Sequence, residues 1–439
     1  MAHRMDISSL VQEVGGLFSE PKPIHLCADE PQLSVYTTGA GDVTRVWEHL
    51  GLTKKATSTV ATSVESSGVG LRQNDAIVPT LAEALERYCT SIFSTDQFVV
   101  ATAGELGASA LDLATLPVCS ERELAHPRCP LMAPDKDAPM RWVKAISLLD
   151  GKDVYVPAIT VYLHTGYAYR SERIWVPITT GCAAHVSYEQ ALLSAIMEVV
   201  ERDALSVLWL QRLPLPKIEV DCVPDALEPY WTCYQRSSLQ VEYFVFDATT
   251  ELGIPIVYSI QRNRTSAHAH TLVSCSAASS AIQAVVKVMR DMVASRIPFR
   301  YVKRIPADFD NFTQLFHGAS YMARAENASA FDFLLRSPNR RLFSEMLRQT
   351  AADEKVSLAE LLQRCRRRKW DVFAVDLTTD EAMRVGFRVV RVLIPALQPF
   401  AFMYRARYLG HPRVYEAPLA MGYPARGESG LNSSPQPFA

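Results

Sequence analysis

Residues 179–210 read TTGCAAHVSYEQALLSAIMEVVERDALSVLWL, and the organisation of the chain can be worked outward from them. A turn of small residues, Gly181 to Ala184, opens onto a segment from about Ser187 to Leu210 in which Leu192, Ala195, Ile196, Val199 and Val200 recur at helical spacing. Ser194, Glu198 and Glu201 form the opposite stripe, which predicts a helix with two chemically distinct faces. The polar face carries Glu198-x-x-Glu201-Arg202.

The pattern has an echo upstream. From Pro79 to Phe93, Leu81, Ala82, Leu85, Tyr88, Cys89 and Ile92 predict another amphipathic helix, and it carries Glu83-x-x-Glu86-Arg87. Helical residues three apart are separated by roughly 60° about the axis, so each carboxylate pair projects from one face. Two such faces brought together place four carboxylates around a common space. Their repulsion calls for cations, and Mg²⁺ suits hard oxygen ligands that bridge to substrate phosphates. Arg87 and Arg202 then offer guanidinium forks for phosphate oxygens. The plain alternative for either copy is a solvated helix face with local ion pairs, a reading that duplication weakens without removing.

Elsewhere the pattern alternates strand and helix. Residues 140–164 are rich in β-branched types, and VEYFVFD (241–247) leads through Thr-Thr and Gly253 to IPIVYSI. VFAVD (372–376) repeats the arrangement with Leu-Thr-Thr, Gly386 and FRVVRVLIP. Ser279 to Arg296 reads as a helix, and Ser357 with Glu360 predicts a reciprocal N-terminal cap. That helix ends in Arg364, Arg366, Arg367, Arg368 and Lys369, a basic turn that suits either the negative helix end or a partner contact. The expected class is mixed α/β, divided into a peripheral segment 1–65, a catalytic domain 66–415 and an extended tail 416–439.

Bulk properties exclude several functions. A formal charge of −2 over 439 residues lacks the broad basic footprint of a nucleic-acid binder. The nine cysteines are scattered without a Cys-x-x-Cys pair, which predicts neither a disulfide framework nor a zinc cage and fits a reducing cytoplasm. The N-terminus lacks the apolar core of a signal peptide, and the apolar stretch Val389 to Tyr404 is broken by Arg391, Pro395 and Pro399, so neither secretion nor a membrane span is expected.

Several ordered motifs together resemble the YcaO-domain family. Residues 179–210 resemble its signature turn and Glu-x-x-Glu-Arg-Asp helix; SSGVGLRQNDAIVPTLAEALERYC (66–89) resembles its earlier Gly-rich turn and acidic helix. FDATTELGIPIV (246–257) resembles its Asp-x-Thr strand junction, and VDLTTDEAMRVGFRVVRVLIPALQP resembles the later part of azoline-forming members. The Gly-Cys-x-x-His-x-Ser pattern at 181–187 is also similar to the cyclodehydratase of microcin B17 biosynthesis.

The resemblance implies amphipathic helices on mixed sheets around an ATP site that is not a P-loop, and no Gly-x-x-x-x-Gly-Lys-[Ser/Thr] motif is present. It implies Glu83, Glu86, Glu198 and Glu201 as Mg²⁺ ligands, with Arg202 and Arg296, and less directly Arg87, at the phosphates. The family's Gly-Lys-Gly turn reads Gly68-Val69-Gly70, so a lysine contact to the nucleotide is missing or supplied elsewhere. Gln190 stands where many members have Glu, and Asp291 and Ala294 replace the usual Glu and Gln. His185 reads either as a general base or as a structural hydrogen-bond acceptor. Cys182 reads as packing, with no activating partner evident. Azoline-forming members end in Pro-x-Pro-x-Pro, and here Pro435, Pro437 and Ala439 occupy those positions.

The implied reaction is ATP-dependent ring closure at Cys, Ser or Thr of a precursor peptide. Thioamide or macroamidine formation, or a non-catalytic scaffold role, are the alternatives. Implied partners are the precursor peptide, an E1-like or winged-helix leader-binding protein and an FMN-dependent azoline dehydrogenase, in a homodimer or hetero-oligomeric synthetase without nucleic acid or membrane.

Overall fold

A computed structural model describes residues 6–12, 16–42, 63–300, 304–349 and 356–438. The antiparallel strands β1 (Lys22–Pro23), β2 (Ser34–Asp42) and β3 (Ser63–Gly70) lie ahead of helix α1 (Gln73–Ser91). Strands β4 (Phe98–Ala101), β5 (Met140–Ser147), β6 (Asp153–Pro157) and β7 (Cys182–His185) precede α2 (Tyr188–Gln211). Next come β8 (Lys217–Glu219), β9 (Glu242–Asp247), β10 (Ile256–Arg262), β11 (Thr271–Ala277), α3 (Ala281–Ala294) and β12 (Arg340–Leu342). The remaining elements used below are α4 (Leu358–Arg367), β13 (Phe373–Asp376), β14 (Arg388–Leu393) and α5 (Arg413–Ala420).

The expected mixed α/β class is found. One sheet runs β4-β5-β13-β14-β7 with β6 against β5, and the other runs β11-β10-β9-β8-β12. Helix α2 lies between them, packing on β14 and β7 of one sheet and on β11 and β10 of the other. Sixteen of its 24 residues are buried, which explains why its apolar stripe widens beyond one face. Each Leu, Ile or Val removed from water there contributes roughly 1.5–3 kcal/mol. Asp203 pins the helix in register: buried, it accepts from Gln398 N at 2.8 Å and forms an ion pair with Arg413 Nη2 at 2.6 Å.

The strand junctions repeat as the sequence suggests. Asp247 Oδ1 accepts from Thr249 N at 3.0 Å, and Asp376 Oδ1 from Thr378 N at 2.9 Å. Gly253 and Gly386 follow with φ of 72° and 77°, left-handed values that favour glycine. A different demand falls on Gly68, where a Cβ would stand 2.3 Å from Ala76 O because β3 and α1 nearly touch.

Several local features refine or depart from expectation. Helix α1 begins at Gln73, ahead of Pro79; Pro79 is held inside the helix although proline favours the first turn. At α4 only half of the reciprocal cap forms: Ser357 Oγ accepts from Glu360 N at 3.2 Å, while the Glu360 carboxylate pairs with Arg364. The basic end of α4 serves a neighbour, since Arg364, Arg366 and Arg368 donate to the carbonyls of Leu252, Gly253, Leu149 and Glu251. Residues 416–420 are helical within α5, where Val414, Ala417 and Pro418 are buried, and the extended course is kept for the last residues.

The described part of segment 1–65 joins the core, with Ile7, Phe18, Leu33 and Val35 buried. Among the described residues no helix is long and apolar enough to cross a membrane.

Candidate active site

One carboxylate of α1 and one of α2, Glu86 and Glu198, come within electrostatic reach of each other. Glu86 is the clearest sign: burial, then the Glu198 carboxylate, then Glu83 push its carboxyl well above the usual range. Glu198 is raised as well, first by burial and then by Glu201, although Arg202 and Gly181 N oppose the shift. Glu86 and Glu198 thus act on one another across the two helices, each beside its own helix neighbour, Glu83 or Glu201.

Three of the four have partners. Glu83 Oε1 meets Arg87 Nη2 at 2.7 Å, and its Oε2 accepts from Ser67 N at 2.9 Å. Glu198 Oε2 accepts from Gly181 N at 3.0 Å and Oε1 lies 3.5 Å from Arg202. Glu201 is buried; its Oε2 accepts from Ala277 N at 2.8 Å and from Lys287 Nζ at 2.9 Å. Among the described residues no hydrogen bond or ion pair reaches the Glu86 carboxyl.

Helix α3 closes a third side. Lys287 keeps 40% of its side chain exposed beside Glu201, and Asp291, raised by burial, accepts from Ser276 Oγ at 2.8 Å. The sequence reading missed Lys287. Its spacing of four from Asp291 on one helical face was the available signal. Arg391, buried at the base of the site, acts electrostatically on Glu86 and donates to Cys182 Sγ at 3.2 Å.

The tail reaches the same place. Trp209 Nε1 donates to Ser434 O at 3.2 Å, Tyr404 Oη to Ser433 O at 2.8 Å, and Pro435 and Pro437 are buried. Phe438 then lays its ring 4.4 Å from the Arg202 guanidinium and packs edge-on against Phe400 at 5.8 Å. Ala439 lies outside the described residues.

The other predicted positions have different surroundings. Arg296 is held by Glu30, 3.2 Å away, in a separate ion cluster. Gln190 is exposed on the first turn of α2. His185 Nδ1 accepts from Ser187 N at 3.2 Å, and burial lowers its pKa, so only Nε2 stays available for proton transfer. Burial pushes the Cys182 thiol up to about 12, which leaves it protonated and unsuited to nucleophilic attack.

The donor set fits Mg²⁺ and a polyphosphate. The half-buried Glu86 carboxyl, with no hydrogen bond or ion pair among the described residues, offers a hard oxygen ligand. Arg202 Nη1, which lies 3.5 Å from Glu201 Oε1 but makes no hydrogen bond there, offers a guanidinium donor. No group of three or more His, Cys, Asp or Glu forms a ready metal cage among the described residues. Mg²⁺ seldom needs one, because it takes one or two carboxylates and completes its shell with substrate phosphates and water.

The fold and this acidic, non-P-loop site define an ATP- and Mg²⁺-binding α/β protein, and comparison with known proteins gives the family. The profile of the family described as YcaO cyclodehydratase, ATP- and Mg²⁺-binding, matches residues 67–398. The chain belongs to the YcaO family of ATP- and Mg²⁺-binding enzymes. It is 26% identical over 356 residues to an uncharacterised protein of Methanothermobacter thermautotrophicus, covering 76% of this chain and 82% of that one.

Among solved structures it is similar to a heterocyclase in complex with substrate and cofactor, with a TM-score of 0.73 and 19% identity. That match covers 98% of this chain and 56% of the heterocyclase, so the chain spans little more than half its length. YcaO from Methanopyrus kandleri bound with AMPPCP and Mg²⁺ matches with a TM-score of 0.59, 16% identity and coverage of 87% and 86%. The E. coli microcin synthetase McbBCD complex contains a chain that matches with a TM-score of 0.57, 14% identity and coverage of 86% and 88%.

Proposed function

We propose that this enzyme is a cyclodehydratase that forms thiazoline or oxazoline rings in a ribosomally made precursor peptide. The observation that supports the reading is the electrostatic proximity of Glu86 and Glu198 across two separately encoded helices, with no hydrogen bond or ion pair to the Glu86 carboxyl among the described residues. Glu83, Glu86, Glu198 and Glu201 would hold the metal, and Arg202 and Lys287 would meet phosphate oxygens. Lys287 is then the lysine that the Gly68-Val69-Gly70 turn does not provide.

Mg·ATP held there would supply the phosphoryl group that makes a peptide amide oxygen, once a neighbouring Cys, Ser or Thr has added to the carbonyl, able to leave as inorganic phosphate with release of ADP. The chain's own contribution is positional and electrostatic. Arg391 offsets charge at the base of the site, and Phe438 fixes the Arg202 plane. The buried Pro435 and Pro437 favour ring formation over the other reactions of the family, because they bring the tail to Arg202 as a preorganised extended segment. Peptide recognition would fall to a separate leader-binding partner of E1-like or winged-helix type, and oxidation of the rings to an FMN-dependent dehydrogenase.

The test is peptide-dependent release of ADP and phosphate, with loss of one water per ring from the precursor mass. Glu198→Ala should abolish both with the fold intact; full ring formation by that variant would overturn the reading. Replacement of oxygen by sulfur in the product mass would move the assignment to thioamide formation.

A further inference from the structure

The fold brings together two cysteines that no local motif pairs. Leu124 N donates to Ser120 O at 2.9 Å, His126 N to Glu123 O at 3.0 Å and Cys129 N to His126 O at 2.9 Å, so the chain curls back through the short helix Glu121–Leu124. The Cys119 thiol then meets the Cys129 sulfur and donates to it. Both are free thiols. Cys119 is 5% exposed and belongs to the main core, whereas Cys129 packs against that core and stays partly open to solvent.

The two thiols are chemically unequal. Their shared hydrogen bond, then burial, push Cys119 well above the usual thiol range. The same bond draws Cys129 down to about 7 against burial, with help from the Leu131 backbone and the Arg173 guanidinium. Arg173 is fixed nearby, its Nε donating to Pro130 O at 2.9 Å. A partly exposed thiolate next to a buried thiol is the arrangement of an attacking and a resolving cysteine.

The loop between them holds the segment that leads to the tail. The Glu123 carboxylate accepts from Arg407 N and from Leu409 N, each at 2.8 Å, and Ser120 Oγ bonds Glu428 Oε1 at 2.8 Å. Gly410 N donates to Val118 O at 3.1 Å, and a Cβ on Gly410 would stand 2.8 Å from Cys119 O. Arg407 Nη1 in turn donates to Asn432 O at 2.9 Å, a few residues before Phe438 covers Arg202.

We propose that Cys119 and Cys129 form a redox modification site, closing reversibly into a disulfide that stiffens the loop 119–129 and, through it, the hold on the C-terminal tail. The oxidant is a low-molecular-weight disulfide. The Cys129 thiolate attacks one of its sulfurs and releases one thiolate; Cys119, losing its proton, then attacks the mixed disulfide at Cys129 and releases the second. One S–S bond breaks, one forms, and two electrons pass to the oxidant. The site does not depend on the peptide chemistry proposed above.

The experiment treats the full chain with oxidised glutathione, blocks the remaining thiols by alkylation, digests without reductant and reads the peptides by mass spectrometry. A Cys119–Cys129 linkage is expected, lighter by two hydrogens than the two free peptides and reversed by dithiothreitol. Cys119→Ser should stop at a glutathione adduct on Cys129. Amide exchange over residues 407–410 and 432–438 should slow several-fold in the oxidised chain, and the same treatment should leave it unchanged in Cys129→Ser. Cys129→Ser replaces one atom at a partly exposed position, and its thermal unfolding serves as the control for folding. Absence of the Cys119–Cys129 linkage while the exposed Cys27 takes up glutathione overturns the proposal. So does a linkage that leaves exchange in the tail at its reduced rate.

Discussion

The two Glu-x-x-Glu-Arg helices share a motif and differ in what surrounds it. In α1 the Glu83–Arg87 pair is about one-third exposed on each side and leans on the edge of β3. In α2 Glu201 is 3% exposed, Arg202 is 18% exposed beneath Phe438, and backbone amides from Gly181 and Ala277 fix both carboxylates. Eight of the 19 residues of α1 are buried against sixteen of 24 in α2. The motif alone therefore sets only which groups face the site. Burial decides which of them also hold the fold together.

The sharpest way to break this division is Glu86→Gln, which removes the carboxyl that has no hydrogen bond or ion pair among the described residues. Peptide-dependent ATP turnover should fall on the order of 10²- to 10³-fold. Thermal unfolding should hold or improve as repulsion with Glu198 is relieved, and turnover within a few-fold of native would show that the carboxyl pair is idle. Next in size is the contrast between copies in chemical denaturation. Glu201→Ala should cost about 3 kcal/mol, because it leaves Ala277 N and Lys287 facing a buried gap, whereas Glu83→Ala should cost about 1 kcal/mol or less. Equal losses would erase the distinction.

A pH profile probes the anchoring of α2 from outside the motif. His411 lies beside the Arg413–Asp203 pair with Nδ1 3.2 Å from Gln398 Oε1; burial and then Arg413 depress its pKa from 6.5 to about 4. Between those values the unfolded chain binds more protons than the folded one. Stability should therefore fall as pH drops through that window, by about 2 kcal/mol from pH 7 to 5, and His411→Gln should flatten that part of the curve. The smallest effect expected is from Phe438→Ala. Loss of the ring over Arg202 should raise KM for ATP about fivefold, corresponding to about 1 kcal/mol, with kcat nearly unchanged.

Periodicity was sufficient for α1 and α2, and the four glutamates could be read because both helices are long and carry charges on one face. Spacing could not show that Asp203 anchors α2, since its partner Arg413 lies 210 positions away. Nor could it place Arg296, which Glu30 turns towards the N-terminal segment. That segment has short elements with mixed Gly, Ser and Thr, so its burial comes from pairing of β2 with β3 and from packing on α1, contacts that no local pattern encodes. The Lys287 contact follows from the approach of α3 to α2, again a tertiary fact.

Helix α2 packs on both large sheets, most heavily on β14 and β7, and Glu198 and Glu201 take backbone amides from either side of it, Gly181 and Ala277. Like charges pressed together on such a helix act as a compressed spring whose force bears on whole sheets instead of on a loop. A cation held there would offset that charge and so act on the contacts that α2 makes with both sheets at once.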